Sequence, residues 1–295
     1  MITQNAELFK KAPSWLYKTA AQLYIDKEFP RHLFVETTAS CNLLCDYCPR
    51  EKVKNHMDFN LFRSIIDEAT HYGPRSFSLH LFGEPLLYPH VWESINYIKK
   101  KNKRHTILLT SNGTLFERFA DPLFSSRVDK VIWSWRPEAK FSPEFKERLK
   151  RWGKLSVRLI KEVVPKEEME YWSKWPSVEI RSLHNYGGNI DVKNWISPVV
   201  KTDTKSQDKR WPCYHLFYAP AVAWNGNILI CCSDPHQKEI MGKFPKTRIS
   251  EAWKNMDKVR KAHLEGKYEG ICANCDVWKS YPNAFFGHEY LWSPQ

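Results

Sequence analysis

The sequence has no run of 18 or more apolar residues, although hydrophobic side chains fill 42% of its 295 positions. A helical membrane span needs such a run, so none is expected. The first residues, MITQNAELFKKAPSW, lack the charged start, apolar middle and small-residue cleavage site of a secretory signal. A cytoplasmic, reducing setting is the default expectation. No repeat of fixed period and no low-complexity tract occurs. Cysteine is scarce, with 8 residues in the chain, yet three of them fall inside CNLLCDYC (41–48). In a reducing setting, clustered cysteines read as metal ligands or catalysts before disulfides.

Acidic residues are also in deficit: 33 Asp and Glu face 45 Lys and Arg, a net charge of +12. Such an excess favours anionic partners, including nucleic acid, nucleotides and phosphorylated substrates. A solvated basic surface is an equal alternative, because the charges are scattered. KKKNKR (99–104) is the one dense run. Lysines closing an exposed helix would explain it.

Residues 1–31 are mixed and amphipathic and read as a helical lead-in. From 32 to about 190, strand-like runs alternate with helical ones. The strand candidates are LFVET (33–37), FSLHLF (77–82), TILLT (106–110), KVIWS (130–134), SVRLIKEV (156–163) and VEIRSL (178–183). Amphipathic segments such as 59–72 and 91–101 lie between them. This alternation predicts parallel βα units over 32–195, an α/β fold. Six units are too few for a closed eight-stranded barrel, and an open partial barrel fits the count. Residues 196–212 are polar and read as a linker. In 213–295, APAVAW and NILICC flank Asn225-Gly226, a strong hairpin signal. A helical stretch, 249–266, follows.

Cys41, Cys45 and Cys48 come directly after the first strand candidate. Parallel-barrel enzymes carry their chemistry on loops at C-terminal strand ends. Three thiolates on a short loop can hold three irons of a [4Fe-4S] cluster, leaving the fourth open to chelate a small molecule. Zinc is the alternative, with His56 the nearest fourth ligand, although the spacing is not a common zinc pattern.

The C-x3-C-x-aromatic-C pattern, with Tyr47 as its aromatic, resembles the signature of the radical S-adenosylmethionine (radical SAM) superfamily. The resemblance extends along residues 32–190. It implies a partial (β/α)6 barrel and a [4Fe-4S] cluster on Cys41, Cys45 and Cys48 that binds S-adenosylmethionine (SAM). It implies reductive cleavage of SAM to methionine and a 5′-deoxyadenosyl radical, which abstracts a substrate hydrogen. It also implies an electron donor such as flavodoxin or ferredoxin. FGEP (82–85) resembles the family's GGEP turn, with Phe82 in place of the first glycine. Gly83 and Glu84 are then expected near the SAM amino group. TSNGTL (110–115) resembles the segment beside the SAM ribose, which nominates Ser111 and Asn112. Ser134 and Arg158 match positions that contact the SAM carboxylate, an acceptor that suits a guanidinium. The plain alternatives are turn formers for the two loops, and a structural hydroxyl and surface arginine for the pair.

Cys213, Gly226 and Cys231 form C-x12-G-x4-C, followed by Cys272 and Cys275 as C-x2-C. This resembles the SPASM/twitch modules appended to radical SAM enzymes. It implies an auxiliary [4Fe-4S] cluster on Cys213, Cys231, Cys272 and Cys275, with Cys232 free or standing in for Cys231. No cysteine follows Cys275, so the shorter twitch type with one auxiliary cluster is expected. A structural zinc at the same four residues is the alternative. HNYGG (184–188) resembles the turn before such modules. His184 and His80 could reach substrate or serve as hydrogen-bonded structural histidines.

The expected function is radical SAM chemistry, and a second cluster opens a route to two-electron oxidation. A small or nucleotide-like substrate is expected, since only residues 1–31 precede the first strand and leave little room for a fused peptide-recognition domain. Nucleic acid is a second candidate, because the net charge and 13 tryptophans suit phosphate and base contacts. A peptide is a third. A non-catalytic iron–sulfur or zinc protein is the alternative class, and it has no use for the GEP and SNG turns.

Overall fold

A computed structural model describes residues 14–191, 210 and 212–280. The stretch read as a linker, 196–212, lies outside the described residues apart from 210 and 212. Helix α1 (Ser14–Tyr24) belongs to the lead-in. All six strand candidates then form: β1 (His32–Val35), β2 (Ser76–Ser78), β3 (Thr106–Ser111), β4 (Lys130–Ser134), β5 (Leu155–Ile160) and β6 (Val178–Arg181). The crossovers are α2 (Phe59–His71), α3 (Val91–Lys101), α4 (Ala120–Ser125), α5 (Pro143–Arg151) and α6 (Lys166–Trp172). Each strand pairs parallel with its sequence neighbours, so every C-terminal strand end lies on one edge.

Local chemistry explains these elements. Asp58 caps α2 by accepting from Asn60 N and Leu61 N, both at 2.9 Å. The buried stripe Phe62, Ile65, Ile66 and Ala69 recurs at helical spacing. On the strands, Leu33, Val35, Phe77, Leu79, Ile107, Leu109, Val131, Trp133, Val157 and Leu159 join one core with the helices. The opposite faces mix apolar Phe34, Leu108, Ile132 and Ile160 with polar His32, Ser76, Ser78, Thr110, Ser134, Ser156, Arg158, Glu179 and Arg181. Strands of a parallel sheet covered on both sides are ordinarily apolar on both faces. The polar groups on this face set it apart from such a sheet.

The hairpin forms as β7 (Ala221–Val222) and β8 (Asn227–Leu229). Gly226 turns it at φ +87°, and a Cβ there would lie 2.7 Å from the Phe244 carbonyl oxygen. The second strand is shorter than expected. It ends at Leu229, so Cys231 and Cys232 lie past it in a turn, where Ser233 N donates to Cys231 Sγ at 3.4 Å. An unforeseen strand, β9 (Ile240–Lys243), pairs antiparallel with β8. Its residues are largely exposed and carry no apolar alternation to announce it. Between the hairpin and these strands on one side and the barrel on the other, there is no break in the sheet: β7 pairs parallel with β1, Phe34 beside Ala221 and Val35 beside Val222. The predicted helix 249–266 forms as two, α7 (Ile249–Asn255) and α8 (Asp257–Leu264), meeting at Met256. Buried Arg260 ties them down by donating to the carbonyls of Leu216 and Trp253, both at 2.8 Å.

Two of the lysines in the dense basic run serve the fold. Lys99 is buried and pairs with Asp129 at 2.7 Å, and Lys101 pairs with Asp67 at 2.7 Å. The run closes α3 and precedes β3, on the strand edge opposite the cysteine loop. Among the described residues, no helix is long and apolar enough to cross a membrane.

Candidate functional site

All eight cysteines are free thiols. Cys41, Cys45 and Cys48 lie on the loop after β1, and Cys48 N donates to the Cys45 carbonyl at 3.0 Å. Arg50 braces the loop, donating to the Leu43 carbonyl at 2.9 Å and the Cys41 carbonyl at 3.4 Å. Burial pushes the Cys41 and Cys48 thiols up, and repulsion from Cys45 adds to it. Tyr47 packs with Cys45, Ile160, Leu183 and Tyr186. His56, the candidate fourth zinc ligand, instead bridges to Thr38 and packs near Tyr88.

The FGEP turn docks on this loop. Glu84 N donates to the Ser40 carbonyl at 2.8 Å. Gly83 passes so close that a Cβ would lie 2.0 Å from the Thr38 carbonyl oxygen. The Glu84 carboxylate is turned onto its own chain. It accepts from Leu86 N at 3.2 Å, Ser111 Oγ at 2.7 Å and Asn112 N at 2.7 Å. Burial raises it to about 7 against the pull of these donors. Glu84 therefore clamps the second turn to the third. Asn112 reaches back, its Nδ2 lying 3.8 Å from Cys41 Sγ and 2.9 Å from Asn42 Oδ1. Gly83, Glu84, Ser111 and Asn112 thus meet around the cysteine loop. Replacing Glu84 with Ala leaves three donors without an acceptor, a cost on the order of 3 kcal/mol. The expected variant melts lower and binds SAM more weakly while keeping its iron. Equilibrium dialysis and iron assay check this, and loss of iron would give Glu84 a purely structural role.

Ser134 and Arg158 are register neighbours at the end of β4 and in β5. Arg158 is engaged: its Nε and Nη2 both donate to Glu179 Oε2 at 3.1 Å. Arg181 and Lys130 also pair with Glu179, at 3.1 and 3.8 Å. Burial works to raise Glu179, but Arg158, Arg181 and Lys130 outweigh it and hold it at about 2. His80 lies on the inner face. It accepts from Thr110 N at Nδ1, 3.2 Å away, which leaves the proton of the neutral ring on Nε2. Burial, with Arg158 and His32 adding, lowers it to about 3.

The second set converges as well. Cys213, Cys231, Cys272 and Cys275 line one cavity with Arg210, His215 and Trp278. Cys232 does not line it and turns toward His215, with Sγ 4.0 Å from Nδ1. Burial and neighbouring thiols push Cys213 and Cys231 up, and Cys272 to about 12. Arg210 donates to the carbonyls of Cys272 and Ala273, at 2.6 and 3.2 Å.

Tyr186, Glu36 and Arg136 escaped the sequence reading, which named the 184–188 turn without its contacts. The 184–188 turn joins the two cysteine sets: Tyr186 packs against the cluster of Tyr47, Ile160 and Leu183 and lies 5.9 Å from the Phe82 ring, while Asn185 exchanges hydrogen bonds with Asp276 and donates to the Asn274 carbonyl at 2.6 Å. Tyr186 holds φ +45°, an unusual conformation for a bulky residue. His184 faces Asp276 at 3.7 Å. Glu36, at the end of β1, is buried and raised by burial to about 7, and it accepts from Trp224 N of the hairpin at 3.3 Å. A lone acid in LFVET was its only sequence signal. Arg136, just past β4, lies over the Tyr47 ring at 5.0 Å.

The radical SAM superfamily profile matches residues 35–132, and that of the SPASM iron-sulfur cluster-binding domain matches 213–276. The chain belongs to the radical SAM superfamily. This radical SAM enzyme is similar to S-adenosyl-L-methionine-dependent 2-deoxy-scyllo-inosamine dehydrogenase of Niallia circulans, 25% identical over 82% of this chain and 91% of that one. It is 33% identical to a probable GTP 3′,8-cyclase of Methanococcus maripaludis, over 34% of this chain and 35% of that one. Among solved structures, BtrN in complex with AdoMet and 2-DOIA shares the fold at TM-score 0.61 and 22% identity, covering 83% of this chain and 92% of that one. SuiB of Streptococcus suis bound to precursor peptide SuiA does so at TM-score 0.62 and 14% identity, covering 90% and 74%.

The radical SAM domain carries SAM and a [4Fe-4S] cluster, and the SPASM domain carries auxiliary iron–sulfur chemistry. The thiols suit such groups. Cys213, Cys231, Cys272 and Cys275 line one cavity, a four-thiol donor set of the kind such a cluster takes.

Proposed function

We propose that this enzyme oxidises a small polar molecule by two electrons, using the chemistry held at its two cysteine sets. The observation that carries the reading is the 184–188 turn, which packs on the barrel loop through Tyr186 and on the Cys272–Cys275 loop through Asn185. Cys41, Cys45 and Cys48 hold the SAM-binding cluster in this reading, and Cys213, Cys231, Cys272 and Cys275 hold a single auxiliary one. When bound, the first supplies the electron that splits SAM, and the second supplies a destination for the electron a substrate radical gives up. The net change at substrate is loss of one C–H hydrogen atom to 5′-deoxyadenosine, one proton and one electron.

Gly83, Glu84, Ser111 and Asn112 frame the SAM amino group and ribose, with Tyr47 beneath and Ser134 toward the carboxylate. His80 offers a neutral N–H from the inner wall. Thr110 Oγ1, buried and without a hydrogen-bond partner, lies on the same strand face. The 2-deoxy-scyllo-inosamine dehydrogenase similarity extends over most of both chains, which favours a hydroxyl-bearing small molecule. An external donor such as flavodoxin or ferredoxin, and the reducing cytoplasm that keeps eight thiols free, complete the requirements.

Deuterium transfer tests the substrate class. The anaerobic, reconstituted, reduced protein is offered SAM with perdeuterated aminocyclitols, nucleotides or short peptides in turn. Deuterium is expected in 5′-deoxyadenosine from a carbinol carbon of an aminocyclitol. Transfer from a peptide or nucleotide alone would sink the reading. Nucleic acid is disfavoured by the basic run, which faces the edge opposite the cysteine loop. Titration with single-stranded RNA is expected to show no steep salt dependence.

A further inference from the structure

We propose that Arg136 recognises the carboxylate of SAM, through the Nε–H and Nη2–H edge of its guanidinium. The inference rests on the radical SAM reading above and names the residue that reads one end of the cofactor. A carboxylate is the natural occupant, because the planar fork matches it with two parallel hydrogen bonds.

The side chain is held ready for that contact. Nη1 donates to its own strand end: Ser134 O at 3.4 Å, Ser134 Oγ at 3.2 Å and Trp135 O at 2.6 Å. These bonds fix the plane and leave the other edge open. Nε is buried and has no hydrogen-bond partner. No carboxylate pairs with Arg136 among the described residues. A buried N–H left unpaired costs free energy that a bound acceptor recovers.

Its place in the fold matches the cofactor. The guanidinium lies 5.0 Å above the ring of Tyr47, the aromatic of the cysteine loop. It also acts electrostatically on Glu84, which clamps the FGEP turn to Asn112. Arg136 therefore stands where the three cofactor-facing loops meet. Arg158, the residue nominated by resemblance, presents the opposite case. The same edge of its guanidinium is closed by Glu179, with both contacts at 3.1 Å. Binding a carboxylate there would first break both. At Arg136 nothing has to break.

The carboxylate could also come from a substrate, and the test separates the two sources. The reconstituted protein is dialysed anaerobically against SAM and against decarboxylated SAM, S-adenosyl-3-methylthiopropylamine. The wild type is expected to prefer SAM. Arg136→Gln is expected to lose SAM affinity by on the order of 10- to 100-fold, keep its affinity for the decarboxylated analogue and retain its iron. Arg158→Gln is expected to keep the preference. The electron paramagnetic resonance signal of the reduced cluster gives a second readout: SAM shifts it in the wild type, and Arg136→Gln needs correspondingly more SAM. Arg136→Lys keeps the charge without the fork and is expected to fall between, which carries the test if the Gln variant does not fold. Unchanged SAM affinity in Arg136→Gln overturns the proposal. So does equal loss of both ligands, or loss of the preference in Arg158→Gln instead. A wild type that binds neither ligand would overturn the radical SAM site reading itself.

Discussion

Replacing Cys41, Cys45 and Cys48 together with Ala is expected to abolish formation of 5′-deoxyadenosine and to remove about four irons per chain. The loss is complete because the three thiols are the only anchors the barrel loop offers. Arg50 grips the backbone of that loop, at Leu43 and Cys41, and its side chain cannot ligate iron. Asn112 comes within 3.8 Å of Cys41 Sγ and is a weak donor to sulfur, not a substitute ligand. The fold is expected to survive. The core under β1 is built by Leu33 and Val35, both fully buried, and Met57 N closes the loop on the Thr37 carbonyl at 2.9 Å. The auxiliary iron therefore stays. Iron assay and chromatography of nucleoside products check both halves, and a triple variant that still cleaves SAM would remove the role given to these cysteines.

Replacing Cys213 and Cys275 has the reverse effect. The auxiliary iron is expected to be lost and the barrel iron to remain, because the two sets are separate side-chain groups on different loops. The variant is expected to form 5′-deoxyadenosine and to yield no oxidised product, since a substrate radical then has no electron acceptor at hand. Ser is the better replacement, because both thiols sit in a buried cavity that a smaller side chain would enlarge. Product analysis in parallel with 5′-deoxyadenosine checks it. Normal oxidised product from a variant lacking auxiliary iron would make the second cysteine set structural.

Much of this was legible in the sequence. The six strands stand out as short apolar runs set between amphipathic segments, and Leu33, Val35, Phe77, Leu79, Ile107 and Leu109 join the core with the helices. The cysteines stand out because thiols are scarce, and their spacing along the chain is also their spacing on a loop. The Asn225-Gly226 turn is announced by its need for a positive φ at Gly226. Other features depend on register between distant strands. Ser134, Arg158 and Glu179 become neighbours only when β4, β5 and β6 align. That alignment closes Arg158 onto Glu179 and leaves Arg136 open, and no local pattern distinguishes the two arginines. Tyr186 is hidden for a related reason. It holds φ +45° beside Asn185, whose hydrogen-bond partners, Asn274 and Asp276, lie about 90 residues away. The strand β9 is invisible because its pairing with β8 rests on backbone bonds and exposed side chains.

The most direct measurement is the yield of 5′-deoxyadenosine from the intact protein, reconstituted with iron and sulfide, reduced with dithionite and supplied with SAM under anaerobic conditions. Methionine and 5′-deoxyadenosine are expected in equal amounts, dependent on reductant and absent from the Cys41/Cys45/Cys48 variant. A fully iron-loaded, reduced protein that binds SAM and releases no 5′-deoxyadenosine, with or without aminocyclitol present, would contradict the account.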